Sequence, residues 1–272
     1  MIKNFLKSIP PVRRFAGLLK FLYFPVRVRK AIREDKASWK PGDSPLPPPK
    51  LRYRVHGALD RKSFEAMGAV CANSIRKALK TESLDVYSFH RILDFGCGCG
   101  RILLNFKDRP DSCRISGTDI DAELIAWCRE NLAPAEFDVN PSSPPMKYKD
   151  GEFNFIFGNS VFTHLDEKMQ FDWLRELQRI SAPGAYLLLS IHGPSLHGHL
   201  TAAQKRTLAD DGFLFFSTET GAFKLDGLPD FYQSTYHGRE YVFREWGRFF
   251  KVVRIIERGM AEYQDLVLLK RE

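Results

Sequence analysis

Cysteine is scarce in this 272-residue chain, and the little there is fits no disulfide pattern. The five are Cys71, Cys97, Cys99, Cys113 and Cys128. An odd number at these spacings matches no small disulfide scaffold, so reduced thiols in a cytoplasmic setting are expected. Cys97 and Cys99 stand two apart with no Cys/His pair placed to complete a zinc site, and no metal is expected. Long apolar runs are missing as well. The most hydrophobic stretch, residues 15–28, is broken by Lys20, Pro25 and Arg27, far short of the ~20 apolar residues of a spanning helix. Pro10, Pro11, Arg13 and Arg14 interrupt what would be the core of a secretion signal. The chain carries +8 overall, yet its body has no excess of one sign. Residues 1–50 hold twelve Lys/Arg against three acids, and the remainder holds 29 against 30. The basic character belongs to an N-terminal arm, which disfavours a surface built throughout for nucleic acid.

What is present is an ordinary globular composition, 44% hydrophobic and 27% charged, on a chain long enough for one large α/β domain with additions. Val12, Phe15, Ala16, Leu19, Leu22 and Tyr23 recur at three- and four-residue steps, predicting a helix over residues 12–24. Its basic residues invite peripheral contact with an anionic membrane through residues 12–30; packing on the domain or on a second subunit is the plainer alternative. Residues 41–49 form a proline-rich, extended connector. The division expected is an arm and connector over residues 1–50 and a catalytic domain over 51–272, with a helical cover at 51–90. Residues 61–79 read as a helix that covers a sheet.

From Arg91 onward short apolar runs alternate with amphipathic segments. Strands are expected at 91–95, 114–118, 136–139, 153–157 and 185–191, with helices at 122–131 and 167–180 between them. That alternation predicts an α/β fold with a doubly wound, mostly parallel sheet and helices on both faces. An irregular stretch follows over 192–240. Strands at 249–256 and 265–269 are then joined by about eight residues, too few for a crossover helix, so this last pair is antiparallel.

The chemistry gathers at a glycine turn. Gly96, Gly98 and Gly100 directly follow a buried strand, where glycine lets the backbone turn sharply and a ligand approach closely. A helix is expected to begin near Arg101 and aim its free N–H groups at the same spot. Asp119 ends the next strand, where a carboxylate accepts hydrogen bonds from both hydroxyls of a ribose. The turn is therefore a nucleoside site. A dinucleotide fingerprint would require glycine where Arg101 stands.

The run Leu93, Asp94, Phe95, Gly96, Cys97, Gly98, Cys99, Gly100 resembles the first motif of the class I S-adenosylmethionine-dependent methyltransferases. Gly117 to Asp121, residues 150–165 and residues 174–189 resemble that family's later motifs, and residues 90–191 carry most of the likeness. The resemblance implies a seven-stranded sheet in the order 3-2-1-4-5-7-6 with strand 7 antiparallel. It implies S-adenosyl-L-methionine as cofactor and S-adenosyl-L-homocysteine as product. By the same likeness Asp94, Gly96, Cys97, Gly98 and Gly100 line the methionine and ribose side, and Asp119 meets the ribose. Ile120 touches adenine, Asn140 meets its edge, and Asn159 and Ser160 sit beside the sulfonium. Arg54 is assigned to the methionine carboxylate.

Methyl transfer to an alcohol requires a base, and His192 and His164, after the fifth and fourth strands, are the first candidates, with His237 third. Phe213, Phe215, Phe216, Phe223, Phe231, Tyr232 and Tyr236, with Gly212, Gly221 and Gly227 as hinges, are expected to build the acceptor site, as a lid or an extra hairpin. A looser likeness to bacterial small-molecule and glycan-pathway methyltransferases points to a small acceptor, a sugar or another metabolite methylated on O or N. An RNA methyltransferase using the basic arm, or a non-catalytic nucleoside-binding subunit, are the alternatives.

Overall fold

Buried aromatic and aliphatic runs organise the chain around one twisted sheet. The computed structural model describes residues 10–217, 229 and 231–272. Phe223, Gly221 and Gly227 lie outside that set, as do the side chains of Val12, Phe15 and Ala16. Five parallel strands come first: β1 (Arg91–Phe95), β2 (Arg114–Asp119), β3 (Glu136–Val139), β4 (Phe153–Gly158) and β5 (Ser181–Ile191). A two-stranded hairpin, β6 (Phe213–Phe216) and β7 (Ser234–His237), stands apart. The chain then returns to the main sheet through β8 (Lys251–Met260) and β9 (Gln264–Lys270). The main sheet runs β3-β2-β1-β4-β5-β9-β8, with β9 antiparallel to both neighbours. Counted within that sheet alone, this is the expected order 3-2-1-4-5-7-6 with its seventh strand reversed.

The two-residue period of β1 divides the core. Ile92 faces a layer that includes Ile75 and Leu79, and Leu93 and Phe95 face a layer that includes Trp173 and Leu177. Successive side chains of a strand point to opposite faces, so one five-residue strand nucleates both layers. Helix α3 (Arg61–Lys80) and α4 (Ala122–Asn131) cover the first face, and α5 (Glu167–Ile180) covers the second. Each starts on an aspartate, Asp60, Asp121 or Asp166, whose carboxylate accepts a first-turn backbone N–H. Such caps satisfy donors that have no partner within the helix.

The structure differs from the sequence expectations in four places. No α-helix follows the glycine turn at Arg101: the chain makes a turn and a short 3-10 segment, Leu103–Asn105. Only nine residues separate Gly100 from Pro110, and the last of them are Lys107, Asp108 and Arg109. Proline disfavours helical geometry just before it, and no further apolar stripe is left to bury. The stretch 192–240 is not irregular throughout; besides the hairpin it holds α6 (Ala202–Asp211), and α7 (Arg239–Glu245) begins at its end. The last hairpin is tighter than eight residues, turning at 261–263 with Ala261 and Glu262 at positive φ. The arm helix, α1 (Pro10–Ser38), runs well past Phe24.

Tertiary contacts explain that extension. Phe24 and Ala31 pack with Leu59 and Tyr53, while both carboxylate oxygens of Asp35 accept from the Arg52 Nη2. Arg52 is fully buried and also donates to the carbonyls of Pro47 and Leu59. One guanidinium thereby joins the arm, the connector and α2 (Pro49–His56), which begins on a proline whose fixed φ suits a first helical position.

Candidate active site

The pocket opens at the carboxyl ends of the parallel strands, where ligands sit in open α/β sheets. The glycine turn forms its floor. The N–H groups of Gly96 and Cys97 donate to the Thr118 carbonyl at 2.8 and 2.9 Å, tying the turn to β2. Gly98 N–H donates to Asp119 Oδ2 at 2.8 Å, and Asp121 N–H donates to Oδ1 at 2.9 Å. Asp119 thus braces the turn and opens toward the pocket at once. Gly98 has φ +56, and a Cβ there would stand 2.7 Å from Val55 of α2. Gly100 also has a positive φ, but its missing Cβ makes room for Leu132, 2.2 Å from where that atom would be. It is a packing glycine, and it does not line the pocket.

The other residues assigned to the cofactor do line it: Arg54, Asp94, Gly96, Cys97, Gly98, Asp119, Ile120, Asn140, Asn159 and Ser160. Arg54, however, is already engaged, with Asp121 at 2.9 Å and Glu123 at 2.6 Å. Asp94 is the opposite case. It is 1% exposed, and neither carboxylate oxygen has a hydrogen-bond partner. Burial, with the nearby Asp119 adding to it, holds its carboxyl well above the usual range. An unpartnered buried carboxylate at a pocket wall calls for a cation. The ammonium end of S-adenosylmethionine would meet that requirement, Asp119 would accept from the ribose hydroxyls, and Ile120 with Leu124 would give the adenine an apolar wall. Burial pushes the thiols of Cys97 and Cys99 up, so both stay protonated inside the turn.

The three histidines occupy different depths. His164 lines the pocket, and its Nδ1 lies 2.6 Å from the Gln233 carbonyl oxygen. A carbonyl only accepts, so Nδ1 carries the hydrogen and the neutral ring has its lone pair on Nε2. His192 sits behind the wall. Its Nδ1 donates to the Thr235 carbonyl at 3.1 Å, and Gln264 connects it to Ser160, whose hydroxyl donates to Gln264 Oε1 at 3.0 Å. His237 is fully buried against Trp246, with Nε2 2.9 Å from Gln170 Oε1, and does not reach the pocket.

Two residues near the site escaped individual assignment. Tyr232 stacks on His164 at 4.4 Å and donates its hydroxyl to the Ser160 carbonyl at 2.9 Å. Its only signal in the sequence is membership of an aromatic-rich stretch. Arg101, read there only as a missing glycine, lines the pocket while 8% exposed. The hairpin segment reaches the site by pairing with the loop after β4: Gln233 and Thr235 N–H groups donate to the His164 and Thr163 carbonyls.

Burial, with His192 and His197 adding to it, lowers the His237 pKa to about 3, and burial with His164 lowers that of His192 to about 4. Unfolded, each takes up a proton near 6.5, so stability is complete above that pH and falls as the pH drops toward the folded values. Asp94 and Asp119, raised by burial, act in the opposite sense, but they are shared by any His237 variant. Between pH 7 and pH 5 the wild type is therefore expected to lose about 2 kcal/mol more stability than His237→Gln. Urea unfolding of both proteins at the two pH values checks this; parallel losses would show that His237 is charged inside the fold.

Comparison with known proteins agrees with this geometry. Residues 92–184 match a methyltransferase domain family. The chain is 27% identical over 135 residues to a malonyl-[acyl-carrier protein] O-methyltransferase of Enterobacter lignolyticus, an alignment covering 50% of this chain and 47% of that protein. It is 30% identical over 173 residues to a ribosomal RNA small subunit methyltransferase C of Ectopseudomonas mendocina, covering 60% and 47%. The chain thus spans about half the length of these curated relatives. Human N-acetylserotonin methyltransferase, solved in complex with S-adenosylmethionine, shares the fold at 13% identity with a TM-score of 0.53, over 82% of this chain and 55% of that one. Residues 92–184 thus match a methyltransferase domain, and the sheet order is that of the class I methyltransferase fold.

Proposed function

We propose that the protein methylates an oxygen or nitrogen of a small acceptor with an apolar body. The observation that carries this reading is the company His164 keeps. Beside it the pocket wall is Leu165, Met169, Trp173, Phe231 and Tyr232, a lining suited to aromatic or aliphatic carbon and poor in partners for the many hydroxyls of a sugar. When bound, S-adenosylmethionine supplies an electrophilic methyl group and leaves as S-adenosylhomocysteine. The pocket holds the acceptor in line, and His164 Nε2 takes the proton released as the acceptor's O–C or N–C bond forms. Among the relatives, the malonyl-[acyl-carrier protein] O-methyltransferase is named for an oxygen acceptor, and ajmaline N-methyltransferase of Rauvolfia serpentina for a nitrogen on a small molecule. The test is a panel of hydroxylated and amino aromatics, acyl compounds, hexoses and RNA oligomers with methyl-labelled cofactor. Label is expected in the apolar-bodied compounds; label confined to hexoses or RNA would overturn this choice of acceptor.

The arm is read as a contact for an anionic lipid surface. No described helix is long and apolar enough to cross a membrane. Leu19, Leu22, Tyr23 and Val26 are exposed on one face of α1, away from Phe24 and Ala31. Arg29, Lys30 and Arg33 continue that face, a pairing of apolar and basic groups that favours anionic headgroups. The full chain is expected to co-sediment with vesicles containing phosphatidylglycerol and not with phosphatidylcholine alone. A Leu19→Glu, Leu22→Glu, Val26→Glu variant should stay in the supernatant. Equal pelleting of the two proteins would end the lipid reading.

A further inference from the structure

Arg101 is a buried cation of the site that makes no salt bridge among the described residues, although its charge acts on the Asp94 carboxyl. Its side chain lies at the pocket wall against α3, in close contact with Gly68: a Cβ on that glycine would meet the Arg101 carbonyl at 2.6 Å and its Cγ at 3.1 Å. The Nη1 hydrogen-bonds His56 Nδ1 at 3.0 Å, and Nε is buried with no partner. A guanidinium only donates, so His56 Nδ1 is the acceptor and the histidine's hydrogen is on Nε2. That Nε2 lies 3.0 Å from Ser63 Oγ, which in turn donates to Asp60 Oδ2 at 2.6 Å. A relay from the N-cap of α3 thus fixes the ring that fixes Arg101. Burial, reinforced by the Arg101 charge, lowers the His56 pKa, consistent with a neutral ring accepting from the guanidinium.

Burying a guanidinium without an anion is costly, and a pocket wall is where a ligand offsets that cost. Asp94, also at this wall, has the complementary defect, an unpartnered carboxylate. One guanidinium without a salt bridge and one carboxyl without a hydrogen-bond partner in a single pocket match the two ends of an α-amino acid. We infer that Arg101, positioned by His56, is the residue that binds the carboxylate of the methionine moiety, and that Arg54 is not. Arg54 has its charge answered by Asp121 and Glu123 and acts as a brace between α2 and the start of α4. This inference rests on the methyl-donor reading of the pocket and adds to it the anchor of the amino-acid end.

Calorimetry with two nucleoside ligands separates the possibilities. S-adenosylhomocysteine has the amino-acid end, and 5′-methylthioadenosine has the same nucleoside thioether without it. Arg101→Gln should weaken S-adenosylhomocysteine by about tenfold to a hundredfold, the range for a charged hydrogen-bonded pair. Its affinity for 5′-methylthioadenosine should change less than about threefold, and that retained binding shows that the variant's pocket is formed. Arg54→Gln should leave the ratio of the two affinities near the wild-type value. Arg101→Lys, which keeps the charge, should lie between wild type and Arg101→Gln, and serves if the glutamine variant fails to fold. An unchanged ratio in both Arg101 variants, or a ratio that collapses in Arg54→Gln, overturns the inference. Failure of the wild type to bind either nucleoside would instead remove the methyl-donor reading itself.

Discussion

Replacing His164 with glutamine is expected to lower methyl transfer to an alcohol or phenol acceptor by about 10²–10⁴-fold while leaving S-adenosylhomocysteine affinity within about threefold. The reason is the division of labour at the pocket wall. The donor side is assigned to the glycine turn, Asp94 and Asp119, with Asp119 accepting from Gly98 and Asp121 N–H groups. The acceptor side has His164, oriented by the Gln233 carbonyl on one edge and by the Tyr232 ring on one face. Glutamine retains polarity and approximate reach but cannot take up a proton, so the loss should fall on turnover. An amine acceptor, neutral and nucleophilic without help, should lose far less, and this contrast identifies the base. His192→Gln is the matched control: it sits behind the wall, it is held neutral by burial, and its link to the pocket passes through Gln264 and Ser160. Its effect on turnover should stay within about tenfold. If the two variants lose the same amount, or if His192→Gln loses more, the assignment of the base to His164 is wrong.

The second large effect is expected at Asp119. Asp119→Ala should weaken S-adenosylhomocysteine binding by about 100- to 1000-fold, measured by calorimetry. Two hydrogen bonds from ribose hydroxyls to one carboxylate account for most of that range, since bonds to charged groups are worth about 1.5–3 kcal/mol each. The remainder comes from the turn itself. Without the carboxylate, Gly98 N–H and Asp121 N–H lose their partners, and a turn whose glycine is held at φ +56 loses its brace. Asp119→Asn keeps one acceptor oxygen and should show an intermediate loss. A change below about tenfold in the alanine variant, with its melting temperature preserved, would place the ribose elsewhere.

The donor half of this site was readable along the chain. The apolar run ending at Phe95, the three glycines and the aspartate closing β2 are neighbours in sequence or lie one strand apart, and strand periodicity alone puts them on one edge. Gly100 shows the limit of that reading. Its sequence context is the same as that of Gly96 and Gly98, and only Leu132, thirty-two residues away, shows that it makes room for packing. The helix expected at Arg101 failed for a related reason. Glycine turns of this kind generally lead into helices, but the polar residues before Pro110 leave that segment no apolar face to bury.

The acceptor half depended on contacts of long sequence separation. Three histidines looked alike in the sequence, and the fold gave them three environments: one at the pocket wall, one behind it and one in the core beside Trp246. Arg54 and Arg101 were separated in the same way, by whether they make a salt bridge among the described residues. By itself the sequence determined the scarcity of thiols, the neutral body with its basic arm, the positions of the strands and the glycine turn, because hydrophobic period and turn chemistry are local, whereas the strand order was implied by the family resemblance. Only the tertiary structure decided which histidine stands at the pocket wall, which arginine there makes a salt bridge and which aromatic rings line the wall. Burial and charge compensation are properties of the neighbours a residue acquires on folding, and those neighbours lie up to about seventy positions away.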